Sequence, residues 1–255
     1  MTCERLAGKS YDLYLRGLRE GWTQKRDIDI LATVYKFRFI AFSDLVRLFF
    51  PTKYGSGAAR RRLLKLYRWR LLDRCKQWAP EGPTEYIYSI DDVGVYYLAT
   101  TQQRNVEELA WRKRDNQVKL AYVQQYQAAM RLYLLLQKQV SITKFEPEIT
   151  LKGQTYSFRP DAYAVFIKGK YEYRLLLEVD MGTEWQQKIQ AKVKSYEAYY
   201  KAHCREQGFI MPYVVFVAEK EERLRKLKVW VERCQSINNM QYRFWTFNQL
   251  LVDEL

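Results

Sequence analysis

The sequence predicts a mixed α+β and α/β chain: helices and a hairpin towards the N-terminus, then a mixed sheet flanked by helices. Two observations carry this. Three short helical patterns are followed by two strand-like segments around Pro80, Gly82 and Pro83. From Asn116 onward the order is helix, three strands, helix, strand, helix, strand, which places a sheet between helical layers. With 255 residues and 48% hydrophobic content the chain has enough apolar side chain for two cores. The expected division is 1–101, a polar linker over 102–115, and 116–255.

The N-terminal elements follow from local signals. Residues 1–22 read as an arm or short helix. Thr23 is a plausible N-cap, and Ile28, Leu31, Ala32 and Tyr35 recur at helical spacing. Ser43 opens a second helix that Pro51 stops. After the loop T-K-Y-G-S-G a third helix is expected over Ala58–Leu72. On it Arg61, Arg62, Lys65 and Arg68 share one arc with Trp69, and Leu63, Leu66, Tyr67 and Leu71 lie opposite. Strands at Leu72–Trp78 and Glu85–Ile90 complete a helix-turn-helix with a wing, a winged helix, and Asp91-Asp92 caps the next helix.

Charge narrows the partner. The net charge is +14, and the segment Lys53–Lys76 holds nine basic residues against Asp73. Such a concentration on a predicted recognition helix points to a polyanion, and double-stranded DNA is the expected partner. Arg60, Arg61, Arg62, Lys65, Arg68 and Arg70 are the candidate DNA-binding residues. A solvated basic face is the alternative reading of the same pattern. The cysteines Cys3, Cys75, Cys204 and Cys234 show no C-x-x-C spacing, so neither a zinc knuckle nor a disulfide framework is expected. The single histidine, His203, excludes paired-histidine metal sites and is expected at the surface. The first residues carry no apolar signal core and no run approaches a membrane span, so a cytoplasmic location is expected.

The chemistry concentrates in 158–200. Asp161 opens one predicted strand, Tyr156–Ile167, and Glu178-Val179-Asp180 closes the next, Tyr171–Val179. Residues i and i+2 of a strand share a face, so Glu178 and Asp180 project together and Asp161 can join them. Three carboxylates in one cleft suit Mg²⁺, which would polarise a phosphodiester and activate water. The pattern has the character of the PD-(D/E)xK nuclease motif, with Asp161, Glu178 and Asp180 as candidate metal ligands. Asp180 stands where that motif places lysine, and Lys188 or Lys192 on the following helix could supply the cation. Lys192 is preferred, because Tyr196 lies one turn on and both could face the sheet. The candidate catalytic set is therefore Asp161, Glu178, Asp180 and Lys192. Structural ion pairing of strand-end acids is the competing reading. Tyr196, Tyr199 and Tyr200 are a third option, as nucleophiles for strand passage.

R-P-D at Arg159–Asp161, E-V-D-x-G-T-E at Glu178–Glu184, and Lys192 with Tyr196, behind a basic winged helix, resemble the replication-relaxation family of plasmids and integrative elements. The resemblance spans roughly residues 25–220. It implies a role in plasmid replication and DNA relaxation, and a restriction-endonuclease-like C-terminal half. The resulting expectation is a double-stranded DNA-binding protein of a mobile element, with a Mg²⁺-dependent nicking domain. The alternative is a non-enzymatic regulator or replication accessory factor on a nuclease-like scaffold. A homodimer or a replication or mobilisation protein is the further partner expected.

Overall fold

A computed structural model describes residues 3–76, 85–153, 156–182, 184–205, 209–238, 240–250, 252 and 255. The chain forms two compact units, 1–127 and 128–255.

In the first unit, α1 (Cys3–Arg19) packs on α5 (Asp92–Thr101), so of the arm or short helix expected here the chain forms a docked helix. Helices α2 (Lys25–Phe37), α3 (Phe42–Phe49) and α4 (Gly55–Arg68) come between them in the chain. Strands β1 (Ile40–Ala41), β2 (Leu72–Lys76) and β3 (Tyr86–Ile90) form an antiparallel sheet in the order β1-β3-β2. The turn at Pro80, Gly82 and Pro83 lies outside the described residues. Ile30, Leu31, Val34, Leu45, Leu63 and Leu66 are fully buried and make the core between the helices. Helix α4 begins three residues earlier than the sequence suggests and ends four earlier. Gly55 can start it because a Cβ there would meet the Phe50 carbonyl oxygen at 1.8 Å. It ends because Arg70 takes a left-handed conformation, φ 61° being seen at the end of α2 (Arg38) and φ 59° here. Asp91 caps α5 as expected, accepting from the Asp92 N–H at 2.7 Å. Gly94 lets α5 approach β2: a Cβ would lie 2.1 Å from the Leu71 carbonyl oxygen.

The segment expected to be a linker is built into this unit. It forms two 3₁₀ turns, Val106–Leu109 and Lys113–Asn116. Leu109 is buried and its carbonyl accepts from the Tyr35 hydroxyl at 2.5 Å. Lys113 bridges Asp73 (2.9 Å) and Asp91 (2.8 Å), and Asn116 donates to the Ile90 carbonyl at 2.9 Å. The unit boundary falls inside α6 (Leu120–Gln137). Val123 and Tyr126 at its start pack with Phe39, Ala41 and Ile87.

In the second unit, β4 (Ser141–Pro147), β7 (Ala162–Lys168), β8 (Tyr171–Asp180), β9 (Tyr213–Ala218) and β10 (Tyr242–Thr246) form a sheet ordered β10-β9-β8-β7-β4. Strands β8, β9 and β10 are parallel, and β4 and β7 run antiparallel to their neighbours. A short ladder joins β5 (Leu151–Lys152) and β6 (Ser157–Phe158). Helices α7 (Gln186–Tyr199) and α8 (Glu221–Cys234) cover one face, where Ile189, Val193, Leu224, Leu227 and Val231 pack on Leu176, Val214 and Phe216. Helix α7 continues into a π-helical turn, Tyr200–Arg205. The near-continuous apolar run of β9 is buried, as expected for a central parallel strand. Among the described residues no helix is long and apolar enough to cross a membrane.

Candidate functional site

Two sets of residues carry the chemistry, one in each unit.

On α4 the predicted cations separate into three directions. Arg61, Lys65 and Arg68 are exposed along one outward arc, as the helical spacing requires. Arg60 is exposed beside them, with its guanidinium 5.6 Å from the Phe42 ring centroid. Arg62 departs from the expected arc and turns inward. Its Nε donates to Asp27 Oδ1 at 2.8 Å, and Nη2 donates to Asp27 Oδ2 and to the Trp22 carbonyl, the latter at 2.7 Å. Asp27 is fully buried, so a cation is drawn to it in place of water. The Arg62 guanidinium also lies 5.4 Å from Trp69, which stacks on Trp22 at 4.9 Å. Arg70 lies beyond the helix end and pairs with Asp92. Tyr67, expected on the buried side, is 37% exposed. Sequence reasoning did not include Arg74 of β2, whose guanidinium sits between Tyr67 (4.4 Å) and Tyr86 (4.2 Å).

In the second unit the strand alternation holds. Glu178 and Asp180 share the β8 face that looks towards α7 and α8, and Asp161, one residue before the Ala162–Leu177 pair, falls opposite Glu178. All three carboxylates are buried. Asp161 Oδ2 accepts from the Val179 N–H at 2.7 Å. Glu178 accepts from Lys192 Nζ and from the Tyr196 hydroxyl, both at 2.6 Å. Lys192 and Tyr196 thus meet the sheet one helical turn apart, the geometry their spacing suggests. Asp180 accepts from the Gly182 N–H at 2.5 Å and pairs with Arg223 at 2.7 Å. Two further residues complete the cluster. Glu184 pairs with Lys192 at 2.9 Å and with Lys188 at 2.6 Å, and its carbonyl accepts from Arg223. Glu184 was visible in the E-x-D-x-G-T-E string; Arg223, 43 residues from Asp180, carried no sequence signal.

The electrostatics follow from burial. Burial pushes the Glu178 carboxyl up to about 7, against the pull of Lys192 and with the push of Asp161. Burial alone would pull Lys192 down, but Glu178, Asp161 and Glu184 outweigh it and hold the ammonium well above its ordinary range. Glu184 is held below its usual range, because Lys192 and Lys188 overcome its burial. Tyr196 is pushed far up by burial and by Glu178. The cluster is therefore an alternating chain of carboxylates and cations at the carboxyl end of β8. In this arrangement both oxygens of Glu178, both of Asp180 and Asp161 Oδ2 are held by protein donors. Among the described residues no three His, Cys, Asp or Glu side chains converge as a metal-ligand group. The donor set as it stands does not fit a divalent cation.

His203, expected at the surface, is partly buried and hydrogen-bonds the Tyr156 hydroxyl, with the Tyr199 ring 4.9 Å away. It lies in the turn that follows α7, so the aromatic cluster at the end of that helix claims it.

These features define a two-unit α+β protein, cationic on an exposed helix of one unit and holding an ion-pair chain at the strand ends of the other. The sequence model for replication-relaxation matches residues 31–212, well over half of the chain, and the chain belongs to that family. No curated protein and no solved structure matches it.

Proposed function

We propose that this chain is a double-stranded DNA-binding protein acting in the replication or relaxation of a plasmid or other mobile element. The first unit is a winged helix in this reading, with α4 as the recognition helix and β2–β3 as the wing. One observation carries it: Arg61, Lys65 and Arg68 stand exposed on one arc of α4, beside the hairpin, in a chain of net charge +14. The family membership supports the biological setting. Arg62 and Arg70 act in the fold of the unit, and Arg60, Arg61, Lys65 and Arg68 meet the DNA. Fluorescence anisotropy on duplex DNA across a KCl series tests this. Arg61→Ala with Lys65→Ala should weaken binding and reduce the slope of log K against log salt by about 2 if both contact phosphates. Unchanged affinity at every salt concentration would refute the assignment of α4.

The second unit is in this reading a restriction-endonuclease-like scaffold whose acids serve as internal ion pairs. The partners of Glu178 and Asp180 favour it, since both carboxylates are already neutralised by Lys192 and Arg223. A second reading, Mg²⁺-dependent nicking through Asp161, Glu178, Asp180 and Lys192, has one observation in its favour. Asp161 and Glu178 do lie across from each other at the strand ends, and Lys192 reaches Glu178 from α7. It requires Glu178 and Asp180 to exchange their protein donors for a cation. Supercoiled plasmid incubated with Mg²⁺ or Mn²⁺ decides between the two. Nicked product that Asp161→Ala abolishes would establish the nuclease; intact plasmid with every cation supports the scaffold.

A further inference from the structure

The hairpin of the first unit carries a second basic surface, distinct from the outward arc of α4. Leu72, Arg74 and Lys76 alternate onto one face of β2, and Arg74 and Lys76 stand directly across from Tyr88 and Tyr86 of β3. With Arg60 from α4 they line a cleft of about 400 Å³ between the helix and the hairpin. Arg74 is fixed there. Its guanidinium lies 4.4 Å from the Tyr67 ring and 4.2 Å from the Tyr86 ring, two aromatic faces that hold the cation. Lys76 is exposed, with its ammonium 5.8 Å from Tyr86.

Among the described residues, the two nearby acids are already engaged. Glu85 also lines the cleft, but its carboxylate accepts from the Ser43 N–H at 2.9 Å and from the Ser43 hydroxyl at 3.3 Å. Asp73, the neighbour of Arg74, sends its Oδ2 to Lys113 at 2.9 Å. Three cations therefore face one cleft whose only carboxylate among the described residues, Glu85, is committed to Ser43. An immobilised guanidinium has already lost the rotamer freedom that binding an anion would otherwise cost.

We propose that Arg60, Arg74 and Lys76 form a phosphate clamp that grips the sugar–phosphate backbone of duplex DNA beside the segment met by α4. Arg74 is its anchoring contact. The proposal rests on the DNA-binding reading above and deepens it. The clamp reads no base edges, so it adds affinity and salt dependence without adding sequence preference.

The test is anisotropy of the full-length chain on a fluorescein-labelled random-sequence duplex over a KCl series. Each lost phosphate contact should lower the slope of log K against log salt by about 0.9. Lys76→Ala should lower it by about one contact and Arg74→Ala with Lys76→Ala by about two. Arg74→Lys, which keeps the charge, should retain the slope. Lys76 is exposed, so its single substitution reads the clamp even if loss of Arg74 disturbs the hairpin. A slope unchanged in Lys76→Ala and in the double variant, while Arg61→Ala with Lys65→Ala lowers it, overturns the clamp alone. A wild-type chain that binds no duplex at low salt overturns the underlying DNA-binding reading and the clamp with it.

Discussion

Replacing Arg62 by alanine separates a structural arginine from its DNA-facing neighbours. The substitution leaves Asp27, which is fully buried, with the Gln24 N–H at 2.8 Å as its remaining hydrogen-bond donor among the described residues. It also removes the donor to the Trp22 carbonyl and the cation over Trp69. Stripping one partner from a buried ion pair costs about 3–5 kcal/mol. The Arg62 side chain is 15% exposed and the Gln24 N–H remains, so the lower end, about 3 kcal/mol, is expected. Urea denaturation followed by far-UV circular dichroism and tryptophan fluorescence reads the loss, with Trp22 and Trp69 stacked beside Arg62. Arg61→Ala is the control, with a change within about 0.5 kcal/mol. Asp27→Leu with Arg62→Met, which leaves no buried charge, should recover much of the loss. An Arg62→Ala chain as stable as Arg61→Ala would refute the inward assignment and return Arg62 to the DNA-facing set.

Other perturbations probe the remaining features. Lys192→Met strands Glu178 without its cation and should cost about 2–4 kcal/mol, whereas Lys188→Met, at a position 64% exposed, should cost under about 0.5 kcal/mol; urea melts of both decide. Lys113 is raised above 10.5: burial pulls it down, and Asp91 and Asp73 overcome that. Its contribution is therefore complete below pH 10.5 and is lost as pH rises through the folded value, so Lys113→Met should flatten the alkaline limb of a pH–stability curve. Asp73 is lowered, Lys113 outweighing its burial, so its contribution is present above pH 3.8 and is lost as pH falls through the folded value. The same variant should flatten that acid limb too. Gly94→Ala drives a methyl group against the Leu71 carbonyl and should lower stability by at least about 2 kcal/mol in thermal melts.

The sequence made the strands and the acids legible because strand period and carboxylate spacing are local properties. Glu178 and Asp180 share a face for the reason their spacing suggests, and Lys192 reaches Glu178 through a one-turn offset from Tyr196. What stayed hidden depends on residues distant in the chain. A helical wheel places Arg62 at the edge of the basic arc, but only the fold brings buried Asp27 beneath it. The helical pattern runs on through Arg70, but the helix ends at Arg68. Arg223 lies on another helix, and nothing near it in sequence marks it as the partner of Asp180. Tyr67 is exposed and carries the hairpin's Arg74 over its ring, a contact that helical periodicity does not encode.

Folding autonomy follows a different line from composition. The polar stretch 102–115 looks dispensable, yet it supplies Leu109 to the interior and Lys113 to two carboxylates. The start of α6 then contributes Val123 and Tyr126 to the Phe39 and Ile87 cluster, with Arg38 donating to the Tyr126 hydroxyl at 2.7 Å. A fragment cut at residue 101 would expose that cluster and leave Asp73 and Asp91 without their ammonium. The first compact unit ends inside α6, so a crossover in the apparent linker separates Leu109, Lys113, Val123 and Tyr126 from the residues they pack against. Any productive crossover has to preserve α6 whole.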